Sequence, residues 1–152
     1  MPKIRIRKYL RAAYKVYSGQ QTSSVVAHIA EDIQEKTGYP RDIIVKRAFF
    51  EKIAKDHPEL PKEHIFEFIK TINLNETDIY HYPLEQKLKF FKILEDETVH
   101  FVAIGLDFSK QHMNLITHYI TKKANWIANT KDTGEPVSFG RAERTLLPSF
   151  PA

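Results

Sequence analysis

Hydrophobic and polar positions follow two different periods along the chain. Up to Asn73, apolar residues recur three or four positions apart, which is the spacing of helices that bury one side. Beyond Asn73 they alternate with polar residues or form short runs between polar turns, as strands do. Helices followed by strands predict an α+β fold, with N-terminal helices packed on a mostly antiparallel sheet of about four strands.

Four helices are predicted in the first half of the chain. Each carries an apolar stripe, and their ends are marked by a serine or threonine cap, by a glycine or by a proline. A short β-prone run at residues 43–45 interrupts the series. The helices are predicted over residues 6–17, from a cap at residues 22–24 to just before Gly38, from about Lys46 to Asp56 or His57, and from Pro61 onwards.

The second half predicts an antiparallel meander, because its strands are separated by short polar turns. Strict alternation along the last strand places Thr117 and Tyr119 on the same face as Met113. His118 then lies on the opposite face. A last short helix or strand is predicted around Trp126. The four strands of the meander are predicted at residues 79–82, 87–94, 99–106 and 112–121.

The length of 152 residues suits one domain with additional terminal segments. Residues 1–21 are predicted to form a basic N-terminal helix or arm, and residues 22–128 the α+β domain. Residues 129–152 form a polar, turn-rich tail that wraps the surface or is flexible. The net charge is only +4, but residues 1–17 hold six basic side chains and no acid. Such a segment suits phosphate or an anionic surface, and a solvated helix face is the alternative.

The composition excludes several kinds of site. The chain has no cysteine, which excludes disulfides, thiolate metal sites and a cysteine nucleophile. It has no glycine-rich phosphate loop, and none of its seven histidines has the spacing of a common zinc site. We therefore predict no metal and no cofactor. The N-terminus lacks an apolar signal segment and no apolar run is long enough to span a bilayer, which predicts a cytoplasmic protein without membrane association.

His57 is the first candidate for chemistry. It follows an apolar helical stripe and precedes Pro58, so its imidazole lies where a helix ends. Thr117 and Tyr119 supply hydroxyl groups on a late strand, although both residue types are ordinary strand formers. An imidazole can accept or donate a proton near neutral pH. The alternative for His57 is a structural residue at the edge of the core, beside the negative end of the helix dipole.

Three short motifs resemble the barnase–EndoU–colicin–RelE nuclease superfamily, and more narrowly its phage-associated nuclease domains. Members of that superfamily typically carry an arginine shortly before the histidine. Here Asp56 is adjacent to His57, and Lys55 is the nearest cation. The resemblance covers roughly residues 24–128, and its motifs are Lys55-Asp56-His57-Pro58, Asp78-Ile79-Tyr80 and Thr117-His118-Tyr119.

The resemblance implies a metal-independent endoribonuclease of phage or toxin type, which cleaves RNA by attack of the 2′-hydroxyl group. In such a reaction His57 is the acid or base, and Thr117 and Tyr119 are catalytic ligands of the phosphate. RNA, tRNA included, is the implied partner, together with a cognate immunity or antitoxin protein. The residues predicted to bind the substrate are Lys55, Lys92, His118 and Lys122.

Two other functions stay open from the sequence. Asp56, an acid where the superfamily favours a cation, motivates a non-catalytic nucleic-acid-binding or phage-particle protein on the same fold. Its affinity would fall steeply as salt rises, through the basic N-terminal residues, and would not depend on His57. The third function is an adaptor that presents Leu10, Tyr14 and Tyr17 to a protein partner.

Overall fold

The protein is an α+β domain in which helices pack against a single mixed sheet. The computed structural model describes residues 2–60, 64–73, 78–93, 96–122 and 137–141. The helices in these residues are α1 (Pro2–Tyr17), α2 (Glu31–Thr37), α3 (Arg47–Asp56) and α4 (Glu67–Asn73). The strands are β1 (Ser23–His28), β2 (Asp42–Lys46), β3 (Asp78–Tyr82), β4 (Lys87–Ile93), β5 (Thr98–Leu106), β6 (Met113–Lys122) and β7 (Val137–Arg141).

The sheet is larger than the sequence predicts. In the described residues its seven strands follow the order β1-β2-β6-β5-β4-β3-β7. The α+β class is confirmed, but the sheet is mixed, so the prediction of a mostly antiparallel sheet is imprecise: β2 and β6 pair in parallel, whereas the other strand pairs of this part of the chain are antiparallel. The predicted meander corresponds to β3, β4, β5 and β6, and the expected number of about four strands is too low because β1, β2 and β7 extend it on both sides.

The second predicted helix is wrong over its first half. Residues Ser23–His28 form β1, which pairs antiparallel with β2. Its adjacent β-branched residues Val25 and Val26 favour a strand once a partner strand is available. Only Glu31–Thr37 are helical, and Gly38 follows with a φ of 76°, the left-handed conformation expected just beyond a helix end.

The other predicted helices lie close to the observed ones. Helix α1 begins before residue 6 and ends at Tyr17, and α3 ends at Asp56, with His57 as its C-cap. Helix α4 begins only at Glu67 because residues 64–66 form a turn. The predicted start at Pro61 and the predicted element around Trp126 lie outside the described residues. Within the predicted tail, the described segment is β7, which pairs with β3.

The two faces of the sheet bury different sets of residues. On one, here called the helix-covered face, strand residues such as Phe90 and Val102 share a buried cluster with residues of all four helices. The opposite one, here called the second face, has a smaller cluster, and Tyr80 and Tyr119 pack against it. The buried members of that smaller cluster are Phe91, Val99, Phe101 and Ala103.

A β-bulge in β6 changes which side chains reach each face. Leu115 pairs with Ile104, but the next pair joins Thr117 to Ala103, so Ile116 is an extra residue in its strand. Leu115 belongs to the helix-covered cluster, whereas Ala103 belongs to the cluster of the second face. Strict alternation, which predicts Thr117 on the same face as Leu115, is therefore wrong across the bulge.

A buried asparagine fastens α4 to β1. The register shift between Val25 and Ala27 leaves Val26 outside the regular ladder of the β1–β2 pair. The side-chain amide of Asn73 donates a hydrogen bond to the Val26 carbonyl at 3.1 Å and another to the Ile69 carbonyl at 2.8 Å. Asn73 is only 4% exposed, so its amide supplies the Val26 carbonyl with a donor at a position that water does not reach.

We expect Asn73→Ala to lower the free energy of unfolding by about 1–3 kcal/mol, because a buried carbonyl loses its donor. Urea unfolding followed by circular dichroism measures the change. The matched control is Lys70→Ala on the exposed side of the same helix, with an expected loss below about 0.5 kcal/mol. Equal losses in the two variants would contradict this role of the Asn73 amide.

Candidate active site at the end of helix α3

His57 lies at the C-terminal end of α3, as the sequence predicts. Its backbone leaves the helical region, with φ −132° and ψ 59°, while its N–H still donates to the Ile53 carbonyl at 2.9 Å. Pro58 follows and prevents another helical turn. The side chain is 24% exposed, so one part of the imidazole contacts protein and another part is accessible to a ligand.

The imidazole of His57 packs against the ring of Tyr119. Their ring centroids are 5.0 Å apart, with an angle of 35° between the ring planes. Tyr119 also packs against Phe101, with 4.6 Å between the ring centroids. Residues from α3 and β6 meet because β2 precedes α3 directly and pairs in parallel with the start of β6. The structure thus brings together two of the three residues predicted to be catalytic.

A carboxylate orients the imidazole of His57. Its Nδ1 atom lies 3.2 Å from Oε2 of Glu59, two residues along the chain. A partner on Nδ1 leaves Nε2 as the nitrogen that can exchange a proton with a bound molecule. Glu59 is exposed, so the pair contributes orientation more than stability. This carboxylate was not among the residues predicted from the sequence.

Thr117 shares a face with Tyr119. Thr117 pairs with Ala103 and Tyr119 with Phe101, and both partners lie on the second face. Residues two apart on a strand are separated by about 7 Å, close enough for their hydroxyl groups to contact one phosphate group. Both side chains are partly exposed.

The predicted substrate-binding cations are dispersed. Lys55 is exposed and lies two residues before His57 on the same helix end. Lys92 pairs with His100, and Lys122 pairs with Thr98. Both lysines therefore lie on the helix-covered face. Thr117 and Tyr119 point to the second face, and the sheet therefore separates them from these two lysines.

His118 does not fit its predicted role as a substrate ligand. Its side chain is 0% exposed and packs against Phe68 of α4, with ring centroids 5.9 Å apart. A bound molecule cannot reach it without opening the core. In the described part of the chain neither ring nitrogen of His118 has a hydrogen-bond partner. Burial, with smaller contributions from the nearby His100, His57 and His64, lowers the pKa of His118 to about 3.

Two more histidines lie close to His118. The rings of His64 and His100 are 6.2 Å apart, and His100 is 6% exposed. Burial is the main reason why the pKa of His100 is lowered. His100 lies two residues before Val102 on β5, and Val102 pairs with His118 of β6. This pairing brings the histidines together, and knowledge of it would have indicated the grouping. The sequence does not reveal that pairing, because it depends on the bulge at Ile116.

A cavity of about 320 Å³ opens beside His57, between α1, α3 and the segment that leads to α4. We call it the α1–α3 cleft. Its lining is mostly apolar, and the sequence did not indicate it. The lining residues are Tyr17, Phe50, Ile53, Ala54, His57, Pro58, Leu60 and Ile65.

Comparisons with known proteins identify no relative of this chain. Comparison of the chain with family models, curated proteins and solved structures finds no match. Within the described residues, no group of three or more histidine, aspartate or glutamate side chains is arranged to hold a metal ion. No helix in the same part of the chain is long and apolar enough to cross a membrane.

The buried imidazole of His118 predicts an acid-sensitive fold. The unfolded chain binds a proton at His118 below about pH 6.5, whereas the folded chain does not until about pH 3. Above about pH 7, His118 therefore has no effect on the free energy of unfolding. As the pH falls below this value, His118 lowers the free energy of unfolding. By linkage, the loss between about pH 7 and pH 4 is about 3 kcal/mol.

We expect His118→Leu to remove most of that loss, because leucine is of similar size and does not titrate. Urea unfolding of both proteins across this pH range measures it. The control is His28→Leu, which removes an exposed histidine paired with Asp42 at 3.1 Å and should stay at least as acid-sensitive as the wild type. An unchanged pH dependence in His118→Leu would rule out this role.

Proposed function

We propose that the protein is a metal-independent endoribonuclease that cleaves RNA through attack of the 2′-hydroxyl group. The observation that carries the proposal is the contact between His57 and Tyr119, with Glu59 on Nδ1 of the same imidazole. These three groups come from a helix end, a strand and a turn. Their meeting places a proton-transfer group next to a hydroxyl donor at a partly exposed position.

The reaction assigns one task to each of the three predicted catalytic residues. Nε2 of His57 takes the proton of the 2′-hydroxyl group, whose oxygen then forms a bond to phosphorus. The bond from phosphorus to the 5′-oxygen breaks, and that oxygen receives a proton from the imidazolium or from water. Thr117 and Tyr119 donate hydrogen bonds to the phosphate oxygens as charge builds up on them. The products carry a cyclic phosphate and a 5′-hydroxyl group.

Positive charge for the phosphate comes from Lys55 and from α1 in this proposal. Lys55 is the nearest predicted cation, and Asp56 beside it offsets its charge. Helix α1 adds Arg7 and Arg11, which are exposed and belong to a segment without acids. A ribonuclease would also need a cognate inhibitor or a delivery route to spare the cell that makes it, and we include such a partner in the proposal.

The second candidate is a nucleic-acid-binding protein without catalysis. It is favoured by the basic side of α1, because that side does not need His57 in order to bind phosphate. The adaptor hypothesis has less support. Leu10 packs against the helix-covered cluster, and Tyr17 contacts Phe50 at 5.2 Å, so neither is fully presented to a partner.

We expect the wild type to cleave a mixed pool of tRNA and synthetic RNA in excess EDTA and to leave the 2′-deoxy substrate intact. His57→Ala should reduce the cleavage rate at least about 100-fold, which is the lower range for loss of an acid–base group. Gel electrophoresis and mapping of the cyclic-phosphate ends measure both effects. The histidine control is His28→Ala, which should cleave at the wild-type rate.

Tyr119→Phe separates ring packing from hydroxyl chemistry. The variant keeps the ring against His57 and Phe101, so the fold and RNA affinity should be unchanged while cleavage slows. If wild type and His57→Ala are equally inert at high protein concentration but bind RNA in a salt-dependent manner, the binding function replaces the enzymatic one. Equal cleavage by wild type and His57→Ala would remove His57 from the mechanism.

A further inference from the structure

The α1–α3 cleft has aromatic walls that are partly open to solvent. Tyr17, at the end of α1, is 42% exposed and meets Phe50 edge-on at 5.2 Å and Phe66 at 5.4 Å. Tyr14, one turn earlier and 53% exposed, does not line the cleft, and its ring centroid lies 6.4 Å from those of Tyr17 and Phe66. Single exposed aromatic side chains are ordinary, but a contiguous, partly exposed aromatic patch is typical of a binding surface.

The shape of the cleft suits a flat ring. Its volume of about 320 Å³ lies at the small end of the range for ligand sites. On the α3 side, Ala54 provides a small side chain between Phe50 and His57, so the cleft continues up to the imidazole. A ring bound against Tyr17 would therefore lie within one or two helical turns of the proposed catalytic group.

The charges on α1 favour a polyanion. The exposed side chains Arg7, Lys8, Arg11 and Lys15 of this helix form no ion pair with any acid in the described residues. A second cavity of about 210 Å³ lies between three of these cations and the neighbouring strand, and it shares no lining residue with the α1–α3 cleft. Tyr17 is the last residue of α1, two residues beyond Lys15, and is therefore within the reach of these charges at ordinary ionic strength.

Arg47 adds a cation one turn before Phe50 on α3. It is exposed, and its guanidinium group lies against Gly19, where a β-carbon would be 3.1 Å from Nη2. Gly19 is two residues beyond Tyr17. Arg47, Phe50, Ala54 and His57 are spaced so that they follow one side of α3. A cation, an aromatic ring and an imidazole therefore succeed each other along this side of the helix, over about 15 Å.

We infer that the α1–α3 cleft binds one unpaired nucleobase of single-stranded RNA, stacked on Tyr17, with flanking phosphates on Arg47 and on the basic side of α1. The inference rests on the proposed ribonuclease function, because it supplies the substrate subsite next to His57. A base inside a duplex is stacked on its neighbours and is not available to the cleft. An apolar peptide would fill the cleft but would not use the surrounding cations.

The test measures binding separately from cleavage. A fluorescein-labelled, single-stranded 2′-O-methyl oligonucleotide, in which the attacking hydroxyl is blocked, is titrated with protein and followed by anisotropy. Tyr17→Ala should bind about 10-fold more weakly, since one stacked base is lost. Tyr17→Phe keeps the aromatic face and should bind like the wild type. His28→Ala should also bind like the wild type, because His28 is exposed and does not line the cleft.

A second variant guards against a change in folding. Ala54→Leu keeps a good helix former and places extra methyl groups in the cleft, so it should weaken binding without removing any packing. Tyr14→Ala is the control, since Tyr14 is exposed on the same helix but does not line the cavity. Thermal melts of all variants verify that they are folded.

The outcomes separate the inference from the proposed function. Weaker binding by Tyr17→Ala and Ala54→Leu supports the subsite even if the wild type proves unable to cleave RNA. Unchanged binding in both variants overturns the subsite even if His57→Ala abolishes cleavage. Equal affinity for a duplex of the same sequence also overturns the subsite. It is overturned as well if the protein binds an apolar peptide in a salt-insensitive manner and does not bind the oligonucleotide.

Discussion

The parallel pairing between β2 and β6 joins the two halves of the chain and fixes the position of the candidate site. It consists of two residue pairs, Ile43 with Met113 and Ile44 with Asn114. Because α3 begins directly after β2, this short pairing makes the helix run along β6 and brings its end to Tyr119. A shift of this register by one residue would move the helix end relative to both hydroxyl-bearing residues.

The sequence predicts the local part of this arrangement and not the long-range part. The end of α3 at His57 follows from Pro58, and the meander of β3 to β6 follows from short polar turns, so both could be predicted from neighbouring residues. Strand β1 was missed because two adjacent valines favour a strand only when a partner such as β2 is next to them. The contact between His57 and Tyr119 depends on that distant pairing, and no local pattern encodes it.

The bulge at Ile116 explains why the residues of the predicted Thr-x-Tyr motif were only partly assigned correctly. Thr117 and Tyr119 share a face, as alternation predicts, but it is the second face and not the one that buries Met113. The same bulge sends His118 under α4, where it has no polar partner among the described residues. One extra residue thus decides that the hydroxyl-bearing side chains take the second face and that the imidazole is buried under α4, where it lowers the tolerance of the fold to acid.

Packing on both sides of His57 reconciles the structural and the catalytic interpretations of this residue. A row of rings crosses the second face from Tyr80 through Phe91 and Phe101 to Tyr119, with centroids 4.6–5.7 Å apart, and His57 continues it. On its other side the imidazole borders the α1–α3 cleft. A helix-end histidine packed in this way resembles an ordinary residue at the edge of a core. The same contacts hold the ring in one orientation, and an acid–base group needs that restraint before a substrate arrives.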